Sequence, residues 1–289
     1  METECIEIVV KKSNNFFSPL RYPGGKSCLS QFFTNVLQKK SIDGYYIEPY
    51  AGGAGAALEL LFHERVEKIV INDFDRSIYA IWHSILKNPS ELIEKIRNSK
   101  LTIKEWKVIK TLSKDKKAKL IDLGYRTFYL NRTNRSGIVK GGPIGGIHQE
   151  GDWKLDARFN KEKLIARIER IAMYKSRIKI HNMDGIELMD NYRKIENVFI
   201  YVDPPYYEKG SSLYYNHYLE EDHIKLAKFL NKNRRINWIL TYDNVHQIRN
   251  LYPKRKQKEF DLNYHATSPR IGKEIMIFSD SIKGVIHDS

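Results

Sequence analysis

Only two cysteines, Cys5 and Cys28, occur in 289 residues. That excludes a disulfide framework and a cysteine-based metal set, and it makes a reducing, cytoplasmic home the expectation. Glycine and proline are modest at 17 and 9 residues, which rules out collagen and wholesale disorder. No apolar run approaches the roughly 18 residues that a bilayer span requires. The opening METECIEIVVKK has neither a basic n-region nor a long apolar stretch, so neither a membrane partner nor a secretory leader is expected. No internal repeat is visible. What is present is a globular composition, 42% hydrophobic and 29% charged, sized for one large domain or a core with one substantial insertion.

Acidic residues are the scarcer charge. Lysine and arginine number 49 against 35 aspartates and glutamates, a net of +14 with a pI of 9.5. Residues 87–182 hold 24 basic and 10 acidic side chains, whereas the rest of the chain holds 25 of each. The whole excess therefore falls in one contiguous third. Either that third meets a polyanion while the remainder does other work, or it is a solvated basic helical face.

The two outer parts alternate short apolar runs with helical periodicity. Strands are predicted at 45–48, 68–72, 177–181, 198–202, 238–241 and 274–278, and helices at 27–40, 54–64, 77–87 and 220–231. Near-continuous Ile, Val, Tyr and Phe suit strands buried on both faces, and the βα alternation argues for an open, mostly parallel sheet. The extended run 258–265 and strand 274–278 predict an antiparallel hairpin at one end. The middle reads as amphipathic helices at 89–100, 102–114, 115–130 and 160–174, around a glycine-rich polar stretch too long for an ordinary connection. The expected division is a core of 1–87 with 176–289 and an insertion of 88–175.

Three motifs carry chemistry. YIEPYAGGAG runs from a strand through Gly52, Gly53 and Gly55 into a helix whose N-terminus favours a polar or anionic ligand group. It is not a dinucleotide fingerprint, because Leu58 stands where the third Gly or Ala belongs. Asp73, ending the next strand in KIVINDFD, is placed to accept both hydroxyls of a ribose. Together they suit an adenosine without a pyrophosphate. Gly25-Lys26-Ser27 looks like the end of a phosphate loop, but Leu20 replaces its first glycine and no clear strand precedes it.

The third motif is VFIYVDPPYY, a buried strand ending in Asp203-Pro204-Pro205-Tyr206. An adenine amine is a poor nucleophile because its lone pair is delocalised into the ring. The Asp203 carboxylate and the Pro204 carbonyl can each accept one of its N–H bonds, draw the nitrogen towards sp³ and aim the lone pair at an electrophilic methyl group. Tyr206 offers an aromatic face for a base flipped out of a duplex.

The ordered set resembles the Dam-type N6-adenine DNA methyltransferases, which are dependent on S-adenosylmethionine. That resemblance implies a Rossmann-like α/β core carrying a mainly helical target-recognition insertion. PLRYPGGK is similar to the motif at the methionine end of the cofactor, which brings in Tyr22 and Lys26. EPYAGGAG, with Glu48 and Tyr50, resembles the glycine motif; INDFD resembles the ribose motif; HNMDGIEL places Asp184 near the cofactor's adenine; NYHATSPRIGKE resembles a late motif near the DNA. Asp203 serves both cofactor and catalysis in this scheme. The insertion's LNRTNRSGI looks like the family's DNA-reading hairpin, with Arg132, Asn134, Arg135, Ser136 and Lys140 as the implied double-stranded DNA contacts. GATC-methylating members carry an Asn-Gly-Leu-like tripeptide where this chain has Ser136-Gly137-Ile138. Cytosine-N4 or RNA amino methylation, or a silent DNA-binding relative, are the alternatives. A cognate restriction or defence partner and a prokaryotic or phage origin complete the implied picture.

Overall fold

The computed structural model describes residues 5–11, 16–22, 25–112, 117–208, 218–264 and 270–287. Positions 23–24 of PLRYPGGK, 113–116 at a predicted helix boundary and 265–269 of the late motif lie outside them. Seven strands form one sheet: β1 Tyr45–Glu48, β2 Lys68–Asn72, β3 Ile178–His181, β4 Val198–Val202, β5 Asn237–Asp243, β6 Gln257–Tyr264 and β7 Arg270–Phe278. Their order is β3-β2-β1-β4-β5-β7-β6. β7 runs antiparallel to both its neighbours, and the other described pairings are parallel. This is the Rossmann-like sheet with an antiparallel end that the resemblance implies.

Period-two alternation splits the sheet between two layers. Tyr46, Ile69, Ile71, Phe199, Tyr201 and Ile239 face one core with α1 (Ser30–Lys39), α2 (Gly55–Phe62) and α3 (Arg76–Lys87). Ile47, Val70, Ile200, Val202, Trp238 and Leu240 face the other, against α8 (Gly185–Tyr192), α9 (Glu220–Lys232) and α10 (His246–Leu251). The sequence reading missed the short helices α8 and α10. A last short helix, α11 (Asp280–Lys283), follows β7.

Between α3 and β3 lie α4 (Pro89–Arg97), α5 (Ile103–Thr111), α6 (Leu120–Thr133) and α7 (Lys161–Met173). Proline at the first position suits α4, and Thr102 and Asn160 cap α5 and α7 by accepting the backbone N–H of Glu105 and Lys163. α6 approaches α3 so closely that a Cβ on Gly124 would stand 2.6 Å from the Ala80 carbonyl oxygen. Leu92, Trp106, Phe128 and Ile168 thereby share a core with Phe33 and Tyr46. Among the described residues no helix is long and apolar enough to cross a membrane.

Candidate active site

In an open parallel sheet, ligands bind beyond the carboxyl ends of the strands where the strand order reverses. Here that point lies between β1 and β4. Their carboxyl ends deliver Glu48 and Asp203 side by side, with Asp73 following β2, Asp184 following β3 and Asp243 closing β5.

Asp203 is held by three hydrogen bonds from two residues. The buried Lys26 ammonium donates to Oδ1 and Oδ2, each at 3.0 Å, and Thr241 on β5 donates to Oδ1 at 2.8 Å. Lys26 also donates to the Tyr206 hydroxyl at 3.1 Å, and that hydroxyl donates to the buried Glu274 on β7. Glu274 lies 3.5 Å from the same ammonium. Burial is the largest push on the Asp203 carboxyl and raises it above the ordinary aspartate range; Lys26 opposes that push and Glu274 adds to it. Even so, the side chain keeps 21% of its surface open, so one edge can meet a ligand. Tyr206 keeps only 4%. In this conformation it anchors Lys26 through its hydroxyl and does not present the free stacking face expected from the sequence. Thr241 and Glu274 were not singled out by the sequence reading, although Glu274 is a carboxylate in an otherwise apolar strand end, which was the available signal.

The glycine turn is built as tightly. Gly52 has φ +47°, and a Cβ there would lie 2.6 Å from the Tyr22 ring. The glycine therefore admits Tyr22 over the loop, a packing reason in addition to the ligand approach expected for it. Gly52 donates its N–H to Asp73 Oδ2 at 3.0 Å, Asp75 donates to Oδ1 at 2.9 Å, and Trp82 of α3 donates to the Gly52 carbonyl at 3.0 Å. Gly53 and Gly55 continue into α2, whose Ala57 N–H bonds Glu48 at 3.0 Å. Burial pushes the Glu48 carboxyl up to about 8. Asn72, also missed, ties three loops together: it donates to the carbonyls of Pro49 and Met183 and accepts the Met183 N–H. Tyr50 pairs with Tyr218, hydroxyl to hydroxyl, at 2.6 Å, and Asp184 caps α8 through Ile186 and Glu187.

The family model for D12 class N6 adenine-specific DNA methyltransferases matches residues 22–266, most of the chain. The chain belongs to this family. It is an adenine-specific DNA methyltransferase dependent on S-adenosylmethionine, and double-stranded DNA is its substrate. Similar proteins include the Type II methyltransferase M.CviBI of Paramecium bursaria Chlorella virus NC1A, 24% identical over 89% of this chain and 95% of that one. Another is the Type II methyltransferase M1.LlaDCHI of Lactococcus lactis subsp. cremoris, 21% identical over 75% of each chain. Among solved structures, an rRNA methyltransferase from Streptomyces viridochromogenes aligns over 95% of this chain and 90% of its own at 11% identity, with a TM-score of 0.39.

For an adenine methyltransferase, the expected DNA-reading hairpin departs most from the structure. Residues 130–133 are the last turn of α6, because Leu130 and Thr133 continue its buried stripe. Arg135–Gly137 is a 3-10 turn with Ser136 at φ 54°, and a single bridge, Asn134 to Pro143, replaces the ladder. Asn134 is fully buried. Its Oδ1 accepts the Trp106 indole N–H at 2.7 Å, and its Nδ2 is shared among the carbonyls of Ile138, Val139 and Gly141 at 2.9–3.1 Å. With both ends engaged inside the protein, Asn134 has no edge to offer a base pair. Arg132 donates through Nε to the Arg158 carbonyl at 2.7 Å; burial, then Arg21, Arg167 and Arg158, lower its guanidinium to about 9. Arg135 and Lys140 remain exposed. Arg135 lines a groove with Gly146, His148 and the exposed Trp153.

Proposed function

We propose that Asp203 is the acceptor that activates the target amine, that Asp73 and the glycine turn hold the cofactor, and that the segment after α6 reads DNA. One observation carries the catalytic part: at the carboxyl end of β4, Asp203 Oδ1 is bonded by Lys26 and Thr241, whereas among the described residues Oδ2 is bonded by Lys26 alone. Oδ2 thus retains the larger acceptor capacity.

The donor set fits a cationic nucleoside cofactor, since Asp73 and Asp203 border the switch point and, among the described residues there, Lys26 is the one cation beside them. S-adenosylmethionine supplies an electrophilic methyl group on sulfur. Lys26 and Thr241 fix the carboxylate rotamer beforehand, so Asp203 pays little reorganisation when it receives the amine N–H. The Pro204 carbonyl, which heads a Pro-Pro pair unable to fold back into a helix, takes the second N–H. As N6 gains its bond to carbon, the carbon–sulfur bond would break to leave a neutral thioether, and N6 sheds one proton, which Asp203 Oδ2 is the atom placed to hold before solvent takes it. Asp203→Ala should lower the single-turnover methylation rate at least a hundredfold, about 3 kcal/mol for a lost preorganised partner, while duplex binding persists. A rate above about a tenth of wild type would remove Asp203 from that role.

The basic segment 87–182 supports phosphate contact by lysines such as Lys104, Lys107 and Lys110, which lack a rigid fork, and base contact by Arg135. Lys140, Ser136 and Arg132 flank that arginine. The name Type II methyltransferase on both relatives supports a short specific target and a cognate restriction enzyme as the companion activity.

A further inference from the structure

We infer that Glu274 is a positioning residue for methyl transfer, drawing the Lys26 ammonium away from Asp203 so that Asp203 stays a strong acceptor. The inference rests on the role of Asp203 given above. A single ammonium lies between two carboxylates: 3.0 Å from both oxygens of Asp203 and 3.5 Å from Glu274. Tyr206 bridges the remaining side, accepting from Lys26 and donating to Glu274. Lys26 is 4% exposed and Glu274 1%, so water screens neither charge well.

Lys26 paired with Asp203 alone would form a neutral unit, and the bound carboxylate would be a poor acceptor for an amine that is itself a weak donor. Glu274 changes that balance. Two carboxylates that share one ammonium neutralise it between them, which leaves negative potential on Asp203, the one of the three with an appreciable open edge. The other described titratable groups facing Asp203 are Tyr46 and Glu48 from β1, Tyr201 from β4, Tyr206 from the following turn and Tyr242 from β5, while Cys28 faces Lys26, Glu274 and Asp203 together. Among these described groups none is a second cation. Glu274 is therefore the group whose removal changes how fully Lys26 neutralises Asp203.

The test is the pH profile of single-turnover methyl transfer to duplex DNA by Glu274→Gln. Glutamine keeps the shape and a carbonyl for the Tyr206 hydroxyl, and removes only the charge. The expected result is an acid limb moved down by at least about half a pH unit and a plateau rate lowered about tenfold or more, with cofactor affinity within about threefold of wild type. Glu274→Asp, which restores the charge, should return the acid limb to within about 0.3 pH unit of wild type. An unmoved or raised acid limb in Glu274→Gln would overturn the inference. Should Glu274→Gln fail to fold, carbon-13 titration of Asp203 in Glu274→Ala against wild type decides. The Asp203 signal, identified by its loss in Asp203→Asn, should titrate lower in Glu274→Ala than in wild type, and an unmoved or raised titration overturns the inference. Active Asp203→Ala would instead sink the role of Asp203 itself. An inactive Asp203→Ala with an unmoved limb in Glu274→Gln removes only the role of Glu274.

Discussion

Asn134→Ala separates a base-reading residue from a loop staple. In the structure the substitution leaves the indole N–H of Trp106, 4% exposed, without its 2.7 Å acceptor. An orphaned buried donor costs about 1–3 kcal/mol. The two amide hydrogens also leave the carbonyls of Ile138, Val139 and Gly141, of which at most two were well bonded at once. With about 0.5–1.5 kcal/mol for each lost bond and partial rehydration of the loop, the total is about 2–4 kcal/mol. For 289 residues the unfolding entropy near Tm corresponds to roughly 1.5–2 °C per kcal/mol, so Tm should fall by about 3–8 °C. Scanning calorimetry gives that number, and methylation of a randomised duplex library followed by sequencing gives the second readout. Because the whole turn after α6 loses its support, site preference should relax at several positions together. A Tm within about 1 °C of wild type, with preference lost at one base pair only, would refute the staple and return Asn134 to the DNA.

At about pH 8.5, where the Asp73 carboxyl that burial pushes up to about 7 is ionised, Asp73→Ala should weaken S-adenosylmethionine binding by about 1.5–3 kcal/mol, the range for hydrogen bonds to a charged group, and calorimetry on the free protein measures it. The upper end is expected because the Gly52 and Asp75 N–H groups also lose their acceptor; an unchanged Kd would remove Asp73 from the ribose. Glu48 gives a pH prediction. Its folded pKa of about 8 lies above the unfolded carboxyl value, so the folded state binds more protons and wild-type stability declines as pH rises from about 4.5 through about 8. Glu48→Gln removes that slope, so its Tm relative to wild type should be higher at about pH 8.5 than at about pH 5, and a pH-independent difference would show that Glu48 is not held neutral.

Much of the fold was set locally. β1, β2 and β4 match their predicted bounds because each is an unbroken apolar run between turn residues, the one pattern that fixes both strand and double-sided burial. The Asp203–Tyr206 tetrapeptide and Asp73 were equally legible as strand-end residues, since each follows such a strand and the parallel order brings strand ends to one edge. Helices α8 and α10, of eight and six residues, span too few turns for a helical period to stand out. The insertion was legible as charge and helices but not as contacts: Asn134 has the right chemistry for adenine, and only tertiary packing decides that Trp106 and three loop carbonyls claim it first. Glu274 is 71 residues beyond Asp203 in the chain and two strands away in the sheet. No spacing rule joins them. The antiparallel return of β7 does, by laying the Glu274 carboxylate beside a lysine from the N-terminal segment, and a charge cluster assembled from three distant parts of the chain exists only once the sheet has closed.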